Sequence, residues 1–163
     1  MAKQIESLKS DQEKIIYRQI GKFCAYRERA ESEVLDKLRE LEVSEKLSFK
    51  LIDLLKKDKF LDNQRFARYY TQGKFLNNKW GKIKIRNGLY EKKISATDVR
   101  FAMNKIDDQD YEKTIITLIE KKAAALKDKE LFVFRKKIVD FLRVKGYEAE
   151  LAWDMVKAKF PDK

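Results

Sequence analysis

Apolar residues return along this chain at a fixed spacing rather than in unbroken runs. Val34, Leu38 and Val43 are answered by Ile85, Leu89 and Ile94, and then by Ile138, Leu142 and Tyr147, each set stepping by four and then by five. Successive sets begin 51 and 53 residues apart. A step of four keeps two side chains on one helical face, and a step of five carries the chain over a short turn into another helix. The likeness extends beyond the sets. Leu47 and Phe49 follow the first as Leu151 and Trp153 follow the third, while Val99 and Phe101 follow the second one residue later.

Helix-start signals fall at the turns this spacing requires. In Ile94-Ser95-Ala96-Thr97-Asp98-Val99, Ser95 takes the N-cap, Asp98 stands at the third helical position, and Ile94 and Val99 form a hydrophobic staple across the start. Leu61-Asp62 with Phe66, and Ile106-Asp107 with Tyr111, repeat that geometry. The pattern predicts helices at 12–28, 31–40 and 44–58, then 62–75, 79–91 and 95–106, then 108–126, 129–145 and 148–159. Breakers are few, with five glycines and the single proline Pro161, so the fold class is all-α. Three tandem three-helix repeats, forming an elongated, curved array, are expected: 1–60 with an N-terminal extension, 61–106, and 107–163.

Charge changes the picture in the middle repeat. The net charge is +11, and residues 63–90 hold seven Lys and Arg with no acid, so +7 of the excess lies in one segment. A solvated mixed-charge surface would intersperse carboxylates to relieve repulsion. An acid-free run instead sets up a positive field suited to phosphates or an acidic protein face. The candidate binding residues are Arg65, Arg68, Lys74, Lys79, Lys82, Lys84, Arg86 and Lys93. Continued at helical pitch, Lys79, Lys82, Arg86 and Lys93 would share one arc beside Ile85 and Leu89, with stems packed and heads facing a partner. Phe66, Tyr69, Tyr70 and Gly73 have the spacing of a buried stripe. Trp80 has two roles open to it: core packing at a helix start, which its place favours, and stacking on a base.

Several chemistries are excluded or weakened. The chain has no histidine and one cysteine, which removes Ser-His-Asp and Cys-His catalysis and zinc sites of the usual ligand sets. Neither a catalytic residue, a metal site nor a cofactor is expected. Cys24, between Phe23 and Ala25, reads as a packed thiol in a reducing compartment. "GKFLNNKWGKIK" fails the phosphate-loop pattern, because Gly73 and Gly81 are too far apart and Ile83 stands after Lys82. Asp107, Asp108 and Asp110 lack the glycine and distal glutamate of a calcium loop and read as helix capping. A second basic group, Arg135, Lys136, Lys137, Arg143 and Lys145, is diluted by Asp140. No apolar run resembles a secretory signal or a membrane span, so a soluble, cytoplasmic protein with no membrane partner is expected.

Three stretches, "FLDNQRFARYY", "NKWGKIKIRNGLYEKKI" and "FLRVKGYE", resemble the RecX family, bacterial regulators of the recombinase RecA. The resemblance covers most of residues 25–160. It implies three tandem three-helix units that bind the RecA nucleoprotein filament, in its helical groove and near its single-stranded DNA. It further implies that the protein modulates filament growth, ATP hydrolysis and strand exchange, mainly as an inhibitor, in recombination, DNA repair and the SOS response. The chain departs from the family where Asn63 and Gln64 replace acids and where Lys59 stands at a position commonly glycine. Two readings follow. The leading one is a noncatalytic, monomeric RecA regulator acting through its basic central helices; the alternative is a helical DNA- or RNA-binding protein acting without RecA. A pure protein scaffold ranks third.

Overall fold

The computed structural model describes residues 5–127 and 130–162. Among these residues nine helices follow one another and no strand occurs. They are α1 (Asp11–Tyr26), α2 (Glu31–Glu40), α3 (Glu45–Lys57), α4 (Asn63–Leu76), α5 (Lys82–Glu91), α6 (Ala96–Met103), α7 (Asp108–Ala124), α8 (Leu131–Lys145) and α9 (Ala149–Lys159). The order is that of the three predicted triplets, and the expected start of the eighth helix at 129 lies outside the described residues.

The apolar sets do what their spacing requires. Eight of their nine members are buried, Val43 being half-buried. The step of five is the same turn three times. The residue ahead of each final member, Glu42, Lys93 or Gly146, has positive φ (54°, 57° and 93°). Its N–H reaches the carbonyl three residues back, and the next N–H reaches the carbonyl five back: Val43 to Leu38, Ile94 to Leu89 and Tyr147 to Leu142, at 3.0–3.1 Å. This is the left-handed helix stop that satisfies the last carbonyls of a helix. Lys59, at φ 60°, makes the same stop after α3. A left-handed residue there explains why glycine suits position 59.

The caps also fall where expected. Asp62 accepts from the Arg65 N–H at 2.9 Å, Ser95 from Asp98 at 3.1 Å and Asp107 from Asp110 at 3.0 Å. Both staple partners are buried in each case. Among the described residues, no helix is long and apolar enough to cross a membrane.

The helices gather into two compact units, Met1–Tyr69 with Leu89–Val99, and Tyr70–Gly88 with Arg100–Lys163, so the second triplet is divided between them. The first unit is built on Tyr17, Ile20, Val34, Leu38, Leu51, Ile52 and Leu55. Cys24 lies in this core, and burial pushes its thiol up to about 11, as expected for a packed cysteine. The second unit buries Phe75, Ile85, Tyr111, Ile115, Ile138, Leu142, Tyr147 and Val156.

Candidate functional site

Each unit holds part of the basic segment. In the first unit, Arg65 is tied inward: its Nε pairs with Glu28 at 2.7 Å and a terminal nitrogen donates to the Lys59 carbonyl at 3.0 Å. Arg68 is exposed and lies over the Tyr69 ring, 5.2 Å from its centroid. Tyr69 itself is 52% exposed, so it leaves the stripe predicted for this helix. The buried face runs instead through Phe66, Ala67, Thr71 and Phe75. Lys93 is exposed at the left-handed stop after α5.

In the second unit, the start of α5 is built on the turn between α8 and α9. The Gly81 N–H donates to the Lys145 carbonyl at 2.8 Å, and the Ile83 N–H to the Gly146 carbonyl at 3.0 Å. A Cβ on Gly81 would overlap the Gly146 carbonyl, so glycine is needed where two backbones touch. The Lys82 N–H donates to the Tyr111 hydroxyl at 2.9 Å, and that hydroxyl donates to Glu148 at 2.7 Å. Burial holds the Tyr111 phenol well above its ordinary pKa; the Lys82 N–H works against this and Glu148 adds to it. The phenol therefore stays protonated and can serve both neighbours. Helix α5 thus has its first backbone donors satisfied by distant partners instead of by its own cap.

Three of the predicted cations meet around this junction. Lys74 and Lys84 are half-buried and both stand against Trp80, with Nζ 4.6 and 4.7 Å from the ring centroid. The Lys84 Nζ also donates to the Val144 carbonyl at 3.3 Å. Lys82 turns away to Asp108, at 2.9 Å, and over the Tyr111 ring. That ammonium holds the exposed Asp108 carboxyl below its usual range. Lys79 is exposed and left-handed, at φ 54°, and Arg86 is exposed on α5. Because the helix begins at Lys82 and ends at Glu91, Lys79 and Lys93 lie beyond its two ends. The single helical arc expected for positions 79, 82, 86 and 93 is therefore broken at both ends.

Trp80 is half-buried rather than core. Lys145, from the second basic group, joins this junction, its Nζ donating to the Asn78 carbonyl at 3.3 Å. Arg135 of that group does not. It is buried and bound to the Phe160 carbonyl and to Asp162. Spacing along the chain could not place Lys145 beside residue 78; the paired glycines at 81 and 146 were the one available hint.

The two stretches that meet here, "NKWGKIK" and "VKGYE", are parts of the sequence that resembles RecX. The family described as "RecX, second three-helix domain" matches residues 62–103. Regulatory protein RecX of Clostridium acetobutylicum is 28% identical over 138 residues, which are 82% of this chain and 64% of that protein. Regulatory protein RecX of Oceanobacillus iheyensis is 31% identical over 100 residues, 61% of this chain and 37% of that protein. The chain carries the RecX second three-helix domain, and its likeness to RecX proteins runs over most of its length.

The fold agrees with that placement. The crystal structure of RecX from Lactobacillus salivarius superposes with a TM-score of 0.80 at 22% identity, covering 98% of this chain and 97% of that one. A second crystal structure of a regulatory protein RecX gives 0.82 at 21% identity, covering 91% and 74%. The chain spans less than two thirds of the length of the two RecX proteins from Clostridium and Oceanobacillus, 64% and 37%.

Proposed function

We propose that this chain is a noncatalytic regulator that binds the RecA nucleoprotein filament and inhibits its ATPase and strand exchange. One observation carries the reading. The stretch that matches the RecX second three-helix domain, 62–103, contains the acid-free segment 63–90. A filament is a lattice of phosphates and protein, and a concentrated positive field favours approach to it. Catalytic groups are not required, since binding alone alters filament growth and turnover. The proposed working parts are the repeats 1–60, 61–106 and 107–163, the second carrying the surface. The protein acts as a cytoplasmic monomer, without a cofactor, in recombination and DNA repair.

Within that surface the proposed contacts fall into two groups. Arg68, Lys79, Arg86 and Lys93 are exposed, while Lys74 and Lys84 stand against the Trp80 ring, Lys84 also reaching the Val144 carbonyl, and neither has a carboxylate partner among the described residues. Arg65 and Lys82 already have carboxylate partners and serve chiefly to hold the scaffold. The test is RecA ATPase on single-stranded DNA, titrated with this protein. A saturable fall in turnover is expected, with about tenfold more protein needed for Lys79→Glu combined with Arg86→Glu, a size typical of losing two charged contacts. Unchanged turnover at concentrations where the chain is folded would overturn the reading. Tight binding of nucleic acid with no effect on RecA would favour the alternative that acts without it.

A further inference from the structure

We propose that Trp80, with Lys74, Lys79 and Lys84, is a single-strand clamp: the indole takes an unpaired base and the lysines take the phosphates beside it. This rests on the reading that the basic surface meets the single strand, and it names the contact.

The backbone that carries the ring is fixed, each bond here being made by a main-chain group of residues 78–81. The Trp80 N–H donates to the Lys74 carbonyl at 3.1 Å and the Gly81 N–H to the Lys145 carbonyl at 2.8 Å. The Tyr147 hydroxyl donates to the Lys79 carbonyl at 3.0 Å, and the Lys145 ammonium to the Asn78 carbonyl at 3.3 Å. Four bonds therefore fix residues 78–81, so little backbone order has to be gained on binding. Trp153, by contrast, already stacks on Phe132, with centroids 6.1 Å apart. Trp80 has lysines against it instead.

Those lysines are exchangeable. A surface cation over a ring is worth roughly two- to fivefold in an equilibrium, whereas a base stacked on an aromatic ring is worth about five- to a hundredfold. An ammonium displaced from the ring is released to a phosphate, so the exchange favours the ligand. No carboxylate occurs in residues 63–90 to compete. The carboxylates at the junction are occupied, Asp108 by Lys82 and Glu148 by Tyr111. An acidic protein partner would satisfy the lysines but leave the indole unused. A duplex hides its bases, so an unpaired strand is the ligand that uses every group present.

The experiment uses the full chain with Trp153→Phe, which leaves Trp80 as its one tryptophan. Its emission is followed during titration with oligothymidylate of about 15 nucleotides, a span suited to a site of this kind, and with an abasic strand of equal length. Saturable quenching by the oligothymidylate, with little response to the abasic strand, is expected. Trp80→Ala should weaken oligothymidylate binding about tenfold while Trp80→Phe stays within about threefold, since a smaller ring still stacks. Circular dichroism checks that the helices persist, and the emission arm needs no change at position 80. Binding without any change in Trp80 emission, or no binding at moderate salt, overturns the clamp. RecA ATPase measured on the same Trp153→Phe protein then decides separately whether the filament reading survives.

Discussion

Single residues decide where helices stop. Glu42, Lys59 and Lys93 hold left-handed φ of 54°, 60° and 57° without being glycine, each at a cost of about 1 kcal/mol. Replacing Lys93 by glycine should therefore stabilise the chain by about 0.5 kcal/mol, because freedom gained in the unfolded chain offsets part of the relief. Gly146 is the opposite case. Its φ of 93° lies beyond the left-handed well of other residues, and a Cβ would overlap the Lys84 side chain and stand 2.6 Å from the Lys84 nitrogen. Gly146→Ala should cost about 2–3 kcal/mol, since strained backbone and a forced shift of α5 act together. Urea unfolding followed at 222 nm measures both. A Gly146→Ala protein as stable as the parent would show that the close approach to α5 is not maintained.

At the scale of elements, Glu33 secures the start of α2. Its carboxylate accepts from the Ala30 N–H at 3.0 Å, from Arg27 at 3.1 Å and from Lys92, just past the end of α5, at 3.2 Å. Burial raises its pKa, but these donors outweigh burial and the net shift is downward. A depressed folded pKa stabilises the fold above the unfolded value, about 4.3, and that contribution is lost as pH falls through the folded value. Glu33→Gln should cost about 1–2 kcal/mol at pH 7, the scale of charge-assisted hydrogen bonds. The gap between the two proteins should close as the pH is lowered below about 4. Urea midpoints at pH 7 and pH 3.5 provide the comparison, and a gap independent of pH would assign the loss to packing alone. Local signals of this kind made the helices legible in the sequence: Asp62, Ser95 and Asp107 cap where their side chains and staples said they would. The site was less legible. Lysine at 79 and 93 gives no sign of a left-handed backbone, so a helical projection ran past both ends of α5. Tyr69 kept an apolar spacing while lying outside the buried face. The dependence of α5 on the turn at 145–146 is a tertiary fact that no local pattern contains.

For the molecule as a whole, the net charge of +11 is a poor guide to how many cations a polyanion can engage. The useful number is the count of cations not already neutralised. Arg65 is bound to Glu28 and Lys82 to Asp108, both at distances under 3 Å, so a phosphate must displace a carboxylate to use either. Such an exchange releases few counterions, because the protein charge was compensated beforehand. Lys79 and Arg86 are exposed and make no ion pair among the described residues, and each contact they form with a strand should release its counterion in full. For single strands the slope of log affinity against log salt changes by about 0.7 for each such contact. Lys79→Gln and Arg86→Gln should each lower the slope by that amount, while Arg65→Gln and Lys82→Gln should leave it nearly unchanged and lower the unfolding midpoint instead. Anisotropy of a labelled single strand between 50 and 300 mM salt separates the two classes. Equal slope changes for all four would mean that the ion pairs open on binding, and that the whole acid-free segment, rather than its unpaired half, meets the strand.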